Sequence, residues 1–89
     1  MTYYEYNTDM RVYKLTDNIS DLKEIQRYVD GQIVVDVFPD NVIYRFPNGG
    51  IGRVNDYVLL YGFDVYTVVG RIPKFIQKMT PTKIVGDNE

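Results

Sequence analysis

Apolar residues recur along this chain with two different periods, and the changes of period mark out its elements. Arg11-Val12-Tyr13-Lys14-Leu15 alternates, the signature of a strand with one buried face, and Asp17-Asn18 ends it. Ile19, Leu22, Ile25 and Val29 then recur at three- and four-residue steps and line one face of a predicted helix. Asp21, Lys23, Glu24, Gln26 and Arg27 fall on the solvated face. Asn18 or Ser20 is placed to cap the first amides, acids at 21 and 24 suit the helix dipole, and Gly31 is free to close the helix in a left-handed conformation.

From Gln32 the period returns to two. Ile33, Val35 and Val37 oppose Val34, Asp36 and Phe38, which predicts a strand covered at least partly on both sides. Pro39-Asp40-Asn41 reads as a turn, and Val42, Tyr44 and Phe46 alternate with Ile43 and Arg45 as the second arm of a hairpin. Pro47-Asn48-Gly49-Gly50 closes that arm, Ile51 to Val54 is a short strand, and Asn55-Asp56 a tight turn. Tyr57 to Tyr61 and Val65 to Val69 form a further hairpin around Gly62-Phe63. Pro73 to Met79 is a short helix with proline at its first position, or a last edge strand. Residues 1 to 9 are read as an arm or an added edge strand, and 80 to 89 as a loosely held tail.

The predicted order is β-α-β-β-β-β. One α+β domain follows, with one helix packed on a curved, mainly antiparallel sheet of about five short strands, since neither the helix stripe nor the sheet face stays wet. A chain of 89 residues hides only about 60 to 65 percent of its unfolded surface, so a thin, single-layered core is expected. No apolar run reaches the roughly 18 to 20 residues of a membrane helix, and the first residues lack the basic-then-apolar pattern of a secretory signal. A cytoplasmic setting without membrane contact is the expectation, and the absence of cysteine fits a reducing compartment.

The pattern of the elements resembles a family of small tailed-phage proteins. Asn18-Ile19-Ser20-Asp21-Leu22-Lys23-Glu24-Ile25-Gln26-Arg27-Tyr28-Val29 is similar to that family's "NLEEIKEFL" helix. Ile33-Val34-Val35 corresponds to its valine-rich strand and Asn55-Asp56-Tyr57-Val58-Leu59 to its "GDYII" strand, with Gly62, Tyr66 and Phe75 following in order. The likeness spans roughly residues 10 to 79 and departs from the family at Asn55, where glycine is expected. It implies a phage-encoded protein, in a host cytoplasm, and brings no catalytic residues with it.

Composition narrows the chemistry. With no histidine, no cysteine and a single serine, Ser20, triad and thiolate chemistry have no side chains to run on. Asp36, Asp40, Asp56 and Asp64 are the carboxylates that would have to converge for hydrolysis or a metal site, but Asp40 and Asp56 stand in turns, Asp64 flanks one, and Asp36 suits a solvated strand face. Gly49-Gly50-Ile51-Gly52 lacks the lysine and the helix of a phosphate loop and reads as a hairpin turn. No enzyme, metal or cofactor is expected.

Binding is what remains. Nine tyrosines exceed what so small a core shelters with every hydroxyl satisfied, so several are expected at the surface, where tyrosine and arginine carry interface energy. Tyr44, Arg45, Arg53, Tyr57 and Tyr61 are read as a sheet-face patch and Arg71, Lys74 and Lys78 as a basic edge. Charge is uneven: residues 1 to 64 hold ten acids against six bases, while 65 to 86 hold four bases and no acid. Aromatic and basic groups together are ingredients of single-strand binding, yet a chain of net charge −2 starts repelled by a polyanion, so nucleic acid is the weaker reading. A host protein that the chain inhibits or modulates is the leading expectation, with a virion assembly role as a further alternative. A homodimer through Tyr3-Tyr4-Glu5-Tyr6 or an edge strand is also expected, because an open sheet edge requires cover.

Overall fold

The computed structural model describes residues 3–5, 10–77 and 83–85. Strands β1 (Tyr3–Glu5) and β2 (Arg11–Lys14) come first. A 3-10 turn over Ile19–Asp21 then runs into helix α1 (Leu22–Gln26). Strands β3 (Val34–Val37), β4 (Val42–Arg45), β5 (Ile51–Arg53), β6 (Tyr57–Gly62) and β7 (Val65–Val69) follow, then helix α2 (Lys74–Gln77) and strand β8 (Lys83–Val85). The α+β class and antiparallel pairing are as expected, but the described residues form two sheets and two short helices where one of each is expected. A five-stranded sheet has the order β7-β6-β2-β1-β8, and a three-stranded sheet the order β3-β4-β5.

The physical reason for two sheets lies in β5. A side chain at Gly52 would collide with Leu15 Cδ1 and come within 3.2 Å of Val68 Cγ1, and one at Gly50 would stand 3.0 Å from Val68 Cγ2. Their absence lets the small sheet fold over the large one. Between the two sheets lies the main core: Tyr13, Leu15, Val58, Leu60 and Tyr66 from the large sheet, Tyr44 and Phe46 from the small one, and Leu22, Ile25 and Val29 from the α1 segment. A second core of Met10, Val12, Leu59 and Ile76 occupies the opposite face of the large sheet, where α2 supplies Ile76. The expected single-layered core is thus replaced by two, one on each face of β2 and β6. Buried on both faces, these central strands lose clean alternation, as Val58-Leu59-Leu60 shows.

The α1 segment is shorter than its apolar spacing predicts. Asn18 Oδ1 accepts from the Ser20 N–H at 3.2 Å, capping the 3-10 turn as expected of Asn18. At the other end Tyr28 N–H and Val29 N–H bond carbonyls three residues back, so the last turn tightens, and Gly31 reverses the chain at φ 101°. Gln26 holds this exit. Its Nε2 donates to the Gly31 carbonyl at 2.6 Å and its Oε1 accepts from the Ile33 N–H at 3.0 Å. Ile19, expected on the buried stripe, is exposed.

Tyr3–Glu5, expected in an arm or added edge strand, is a strand bonded on both sides, pairing with β2 and β8. It therefore offers no free edge for a homodimer, while Tyr6 lies outside the described residues. Lys83–Val85, expected in the tail, forms the β8 edge. The segment from Pro73, left open between helix and strand, is a single helical turn, with Ile76 and Gln77 N–H both bonding the Pro73 carbonyl.

Candidate binding surfaces

In the small sheet, register decides which predicted site residues share a face. Val34, Arg45 and Ile51 are aligned across the three strands, and Asp36, Ile43 and Arg53 form the next row. Residues aligned in this way point to the same side, so these six make one outward face. Val34 is 49% and Ile51 52% exposed, and Phe38, on the same side at the strand end, 48%. β3 and its end thus bring Val34 and Phe38, and β5 brings Ile51, to one face, with Arg45 and half-buried Ile43 of β4 between them. β3 is partly covered on both sides, as expected: Asp36 on this face and Val35 on the other are half-buried, while Val34 and Val37 are exposed. Arg45 Nε donates to Asp36 Oδ2 at 2.6 Å, and Arg53 is exposed beside them.

Tyr44 and Tyr57 do not join this face. Tyr44 points the other way into the main core, where its hydroxyl donates to the Thr16 carbonyl at 2.5 Å and burial raises the phenol above its ordinary range. Tyr57 belongs to the large sheet and packs half-buried on the second core. Tyr61 is exposed at the end of β6, where a bulge between Leu60 and Gly62 leaves it without a partner on β7. Arg71 and Lys74 are exposed beside α2, on the far side of the large sheet from the small one, and Lys78 lies outside the described residues. The predicted patch and basic edge are therefore two separate surfaces.

The surplus of surface tyrosine is also corrected. Among the described tyrosines, Tyr13, Tyr44 and Tyr66 are buried, Tyr3, Tyr4, Tyr28 and Tyr57 half-buried, and Tyr61 alone is exposed. The exposed rings are instead chiefly phenylalanines: Phe38, Phe63 and Phe75. The tyrosines escape exposure because the second core adds an interior against which Tyr4 and Tyr57 pack, and because Arg11 serves two others. Arg11 lies 5.3 Å from the Tyr3 ring centre and 4.9 Å from that of Tyr28, donates to the Tyr28 hydroxyl at 2.5 Å, and meets Glu5 at 3.6 Å. Burial by itself would lower the guanidinium pKa, but the Tyr28 hydrogen bond and nearby phenols outweigh it and raise the value. Arg11 also lines a hollow of about 500 Å³ with Arg27, Tyr28, Tyr61 and Phe63.

A second hollow, of about 350 Å³, runs between the α1 segment and β3, walled by Ile19, Leu22, Ile33 and Val35, with Lys23 and Arg27 as its only charged lining. By sequence Lys23 and Arg27 are solvated helix residues; their signal as a site is the strand beside them, which sequence spacing does not display.

The four aspartates considered for chemistry stand apart in turns and pairs. Asp36 is tied to Arg45, and Asp56 Oδ2 accepts the Arg53 N–H at 2.8 Å within its own turn. Asp64 Oδ1 accepts the Asp30 N–H at 3.0 Å, joining the β6–β7 turn to the end of the α1 segment. Among the described residues no three acids gather as a metal ion requires, and no helix is long and apolar enough to cross a membrane. The chain matches no protein-family model, no curated protein and no solved structure with which it was compared.

Proposed function

We propose that this chain is a non-catalytic accessory protein that works by binding another protein, as a phage-encoded modulator of a host protein would. The observation that carries the reading is the outward face of β3–β4–β5, where Val34, Ile51 and Phe38 stand about half exposed around Arg45 and Arg53. Apolar area with arginine among it is the composition of interface centres, because guanidinium is less strongly hydrated than an ammonium and makes several hydrogen bonds at once. Nucleic acid is less well served. Arg45 is engaged by Asp36, and Arg71 and Lys74 lie on a different surface, so these cations do not line up as one basic track for a phosphate backbone.

The test is affinity capture from bacterial lysate with wild-type chain and with an Arg53→Glu, Ile51→Lys double variant, each with and without nuclease. A protein retained after nuclease and lost with the variant is the expected result. Capture that vanishes with nuclease would replace the reading by nucleic-acid binding, and capture indifferent to the variant would move the site elsewhere.

A further inference from the structure

The hydrogen-bonding direction of β3 follows from its turn. The Phe38 N–H bonds the Asn41 carbonyl at 2.8 Å, so the alternation of an antiparallel ladder turns the amides of residues 36 and 34 toward β4 and those of 35 and 37 away from it. On that open side Ile33 is already served, its N–H by Gln26 and its carbonyl by Gln32 Nε2 at 3.2 Å. The N–H and C=O groups of Val35 and Val37 have no partner among the described residues, and β3 is the end strand of its sheet. This open edge runs beside the α1–β3 hollow, which Val35 itself lines. A sheet edge next to a helix, with an apolar trough between them, is the geometry by which an extended peptide is taken up as an added strand.

We propose, resting on the reading of the chain as a protein-binding domain, that β3 accepts an extended acidic–apolar peptide as a further antiparallel strand. About four backbone hydrogen bonds to Val35 and Val37 hold it, and one apolar side chain enters the trough between Leu22 and Val35. A carboxylate two residues from that apolar side chain, and so on the same face, meets Lys23 and Arg27. Charge selects this occupant. Lys23 has no ion pair among the described residues, and Arg27 has only Glu24 at 3.7 Å, with both side chains largely in solvent, a pairing that counts for little. A second copy of β3 fits less well. Its trough-facing residues would be Ile33, Val35 and Val37, which offer no acid, while its Asp36 faces the other side and is held by Arg45.

The experiment selects short random peptides by display against the full chain, then measures the enriched peptides by fluorescence anisotropy. Enrichment of an acid and an apolar residue at alternate positions is expected. Val37→Pro removes an edge donor without touching the bonds to β4, and weakens binding by about tenfold or more. Lys23→Glu with Arg27→Glu does the same and is rescued when the peptide's acid is exchanged for lysine. Because Val37→Pro is able to disturb the fold, peptides N-methylated at single amides supply an independent readout: alternate positions lose affinity and those between them do not. No enrichment, or N-methylation without alternation, overturns the proposal. So does concentration-dependent self-association that Val37→Pro abolishes, which assigns the edge to a second copy. A lysate partner sensitive to Arg53→Glu with Ile51→Lys, and indifferent to Val37→Pro, would sink strand addition while leaving the binding-protein reading in place.

Discussion

The Tyr44 hydroxyl donates to the Thr16 carbonyl at 2.5 Å, whereas the Tyr13 hydroxyl, in the same core, meets no hydrogen-bond partner in good geometry among the described residues and has only the nearby Arg11 guanidinium acting on it. Two phenols of similar burial thus differ in what their oxygens do, and the difference is measurable. Tyr44→Phe strands the Thr16 carbonyl, at a cost of about 1 to 3 kcal/mol. Tyr13→Phe removes a desolvated hydroxyl that makes no well-aligned hydrogen bond among the described residues, and is expected to cost clearly less than Tyr44→Phe. Chemical denaturation of the two variants side by side checks the contrast; equal destabilisation would refute it.

Tyr13 also sets an alkaline limit. Burial pushes its pKa up to about 12, against the ordinary phenol value of 10.0, with the nearby Arg11 guanidinium acting in the opposite sense. Tyr3 and Tyr44 are raised as well, both mainly by burial. Between the unfolded and folded values the unfolded chain has released a proton that the native chain retains, so stability is full below pH 10 and falls as the pH climbs toward 12. Tyr13→Phe should make that decline shallower. Urea midpoints measured across this window test the point, and an unchanged slope would count against it.

What was legible in the sequence was local. Alternation at Arg11-Val12-Tyr13 and the turn residues at Pro39-Asp40-Asn41, Asn48-Gly49 and Asn55 mark real elements, because turn chemistry acts within a few residues; Asn55 and Gly49 indeed take φ of 78° and 91°. Alternation also sorted Tyr44 from Arg45 correctly. It does not say which side is buried, and the surplus of tyrosines, with Arg45 beside Tyr44, points Tyr44 to the surface, where the structure does not put it. The pairing of Tyr4 with Ile84 depends on residues from opposite ends of the chain, beyond any local pattern. Of the expected sheet-face patch, Arg45 and Arg53 are the members that the strand register brings onto one face. The β3 edge went unseen because the outward turn of the Val35 and Val37 amides is fixed by the Phe38–Asn41 hydrogen bond rather than by residue type.

Gly52 is where the two sheets come closest. The run Gly49-Gly50-Ile51-Gly52 reads as a hairpin turn, yet the backbone φ of Gly52 is not in the left-handed region, and its requirement is for space. In Gly52→Ala the added carbon meets Leu15 Cδ1, whose side chain is locked in the main core, and presses on Val68 Cγ1. An overpacking cost of about 1 to 3 kcal/mol is expected. Gly52→Ala combined with Leu15→Val should recover part of that loss, a coupling that a double-mutant thermal series detects and that simple loss of glycine flexibility would not produce.

Asp64 separates a structural carboxylate from a catalytic one. It occupies a left-handed conformation at φ 58°, its N–H bonds the Tyr28 carbonyl at 2.6 Å, and its Oδ1 receives the Asp30 N–H. The residue thus fastens the β6–β7 turn to the chain leaving α1. Asparagine retains the acceptor oxygen and tolerates the left-handed region, so Asp64→Asn should stay within about 0.5 kcal/mol of wild type. Alanine loses the acceptor and is strained at this φ, so Asp64→Ala should cost about 1 to 2 kcal/mol. Glycine relieves the strain and still lacks the acceptor, placing Asp64→Gly between the two. Thermal unfolding of the three variants reads this order directly, and at about 4 to 8 °C per kcal/mol for a chain of this size the extremes are resolvable. An Asp64→Asn as unstable as Asp64→Ala would mean that the negative charge, rather than the hydrogen bond and the backbone, holds the turn.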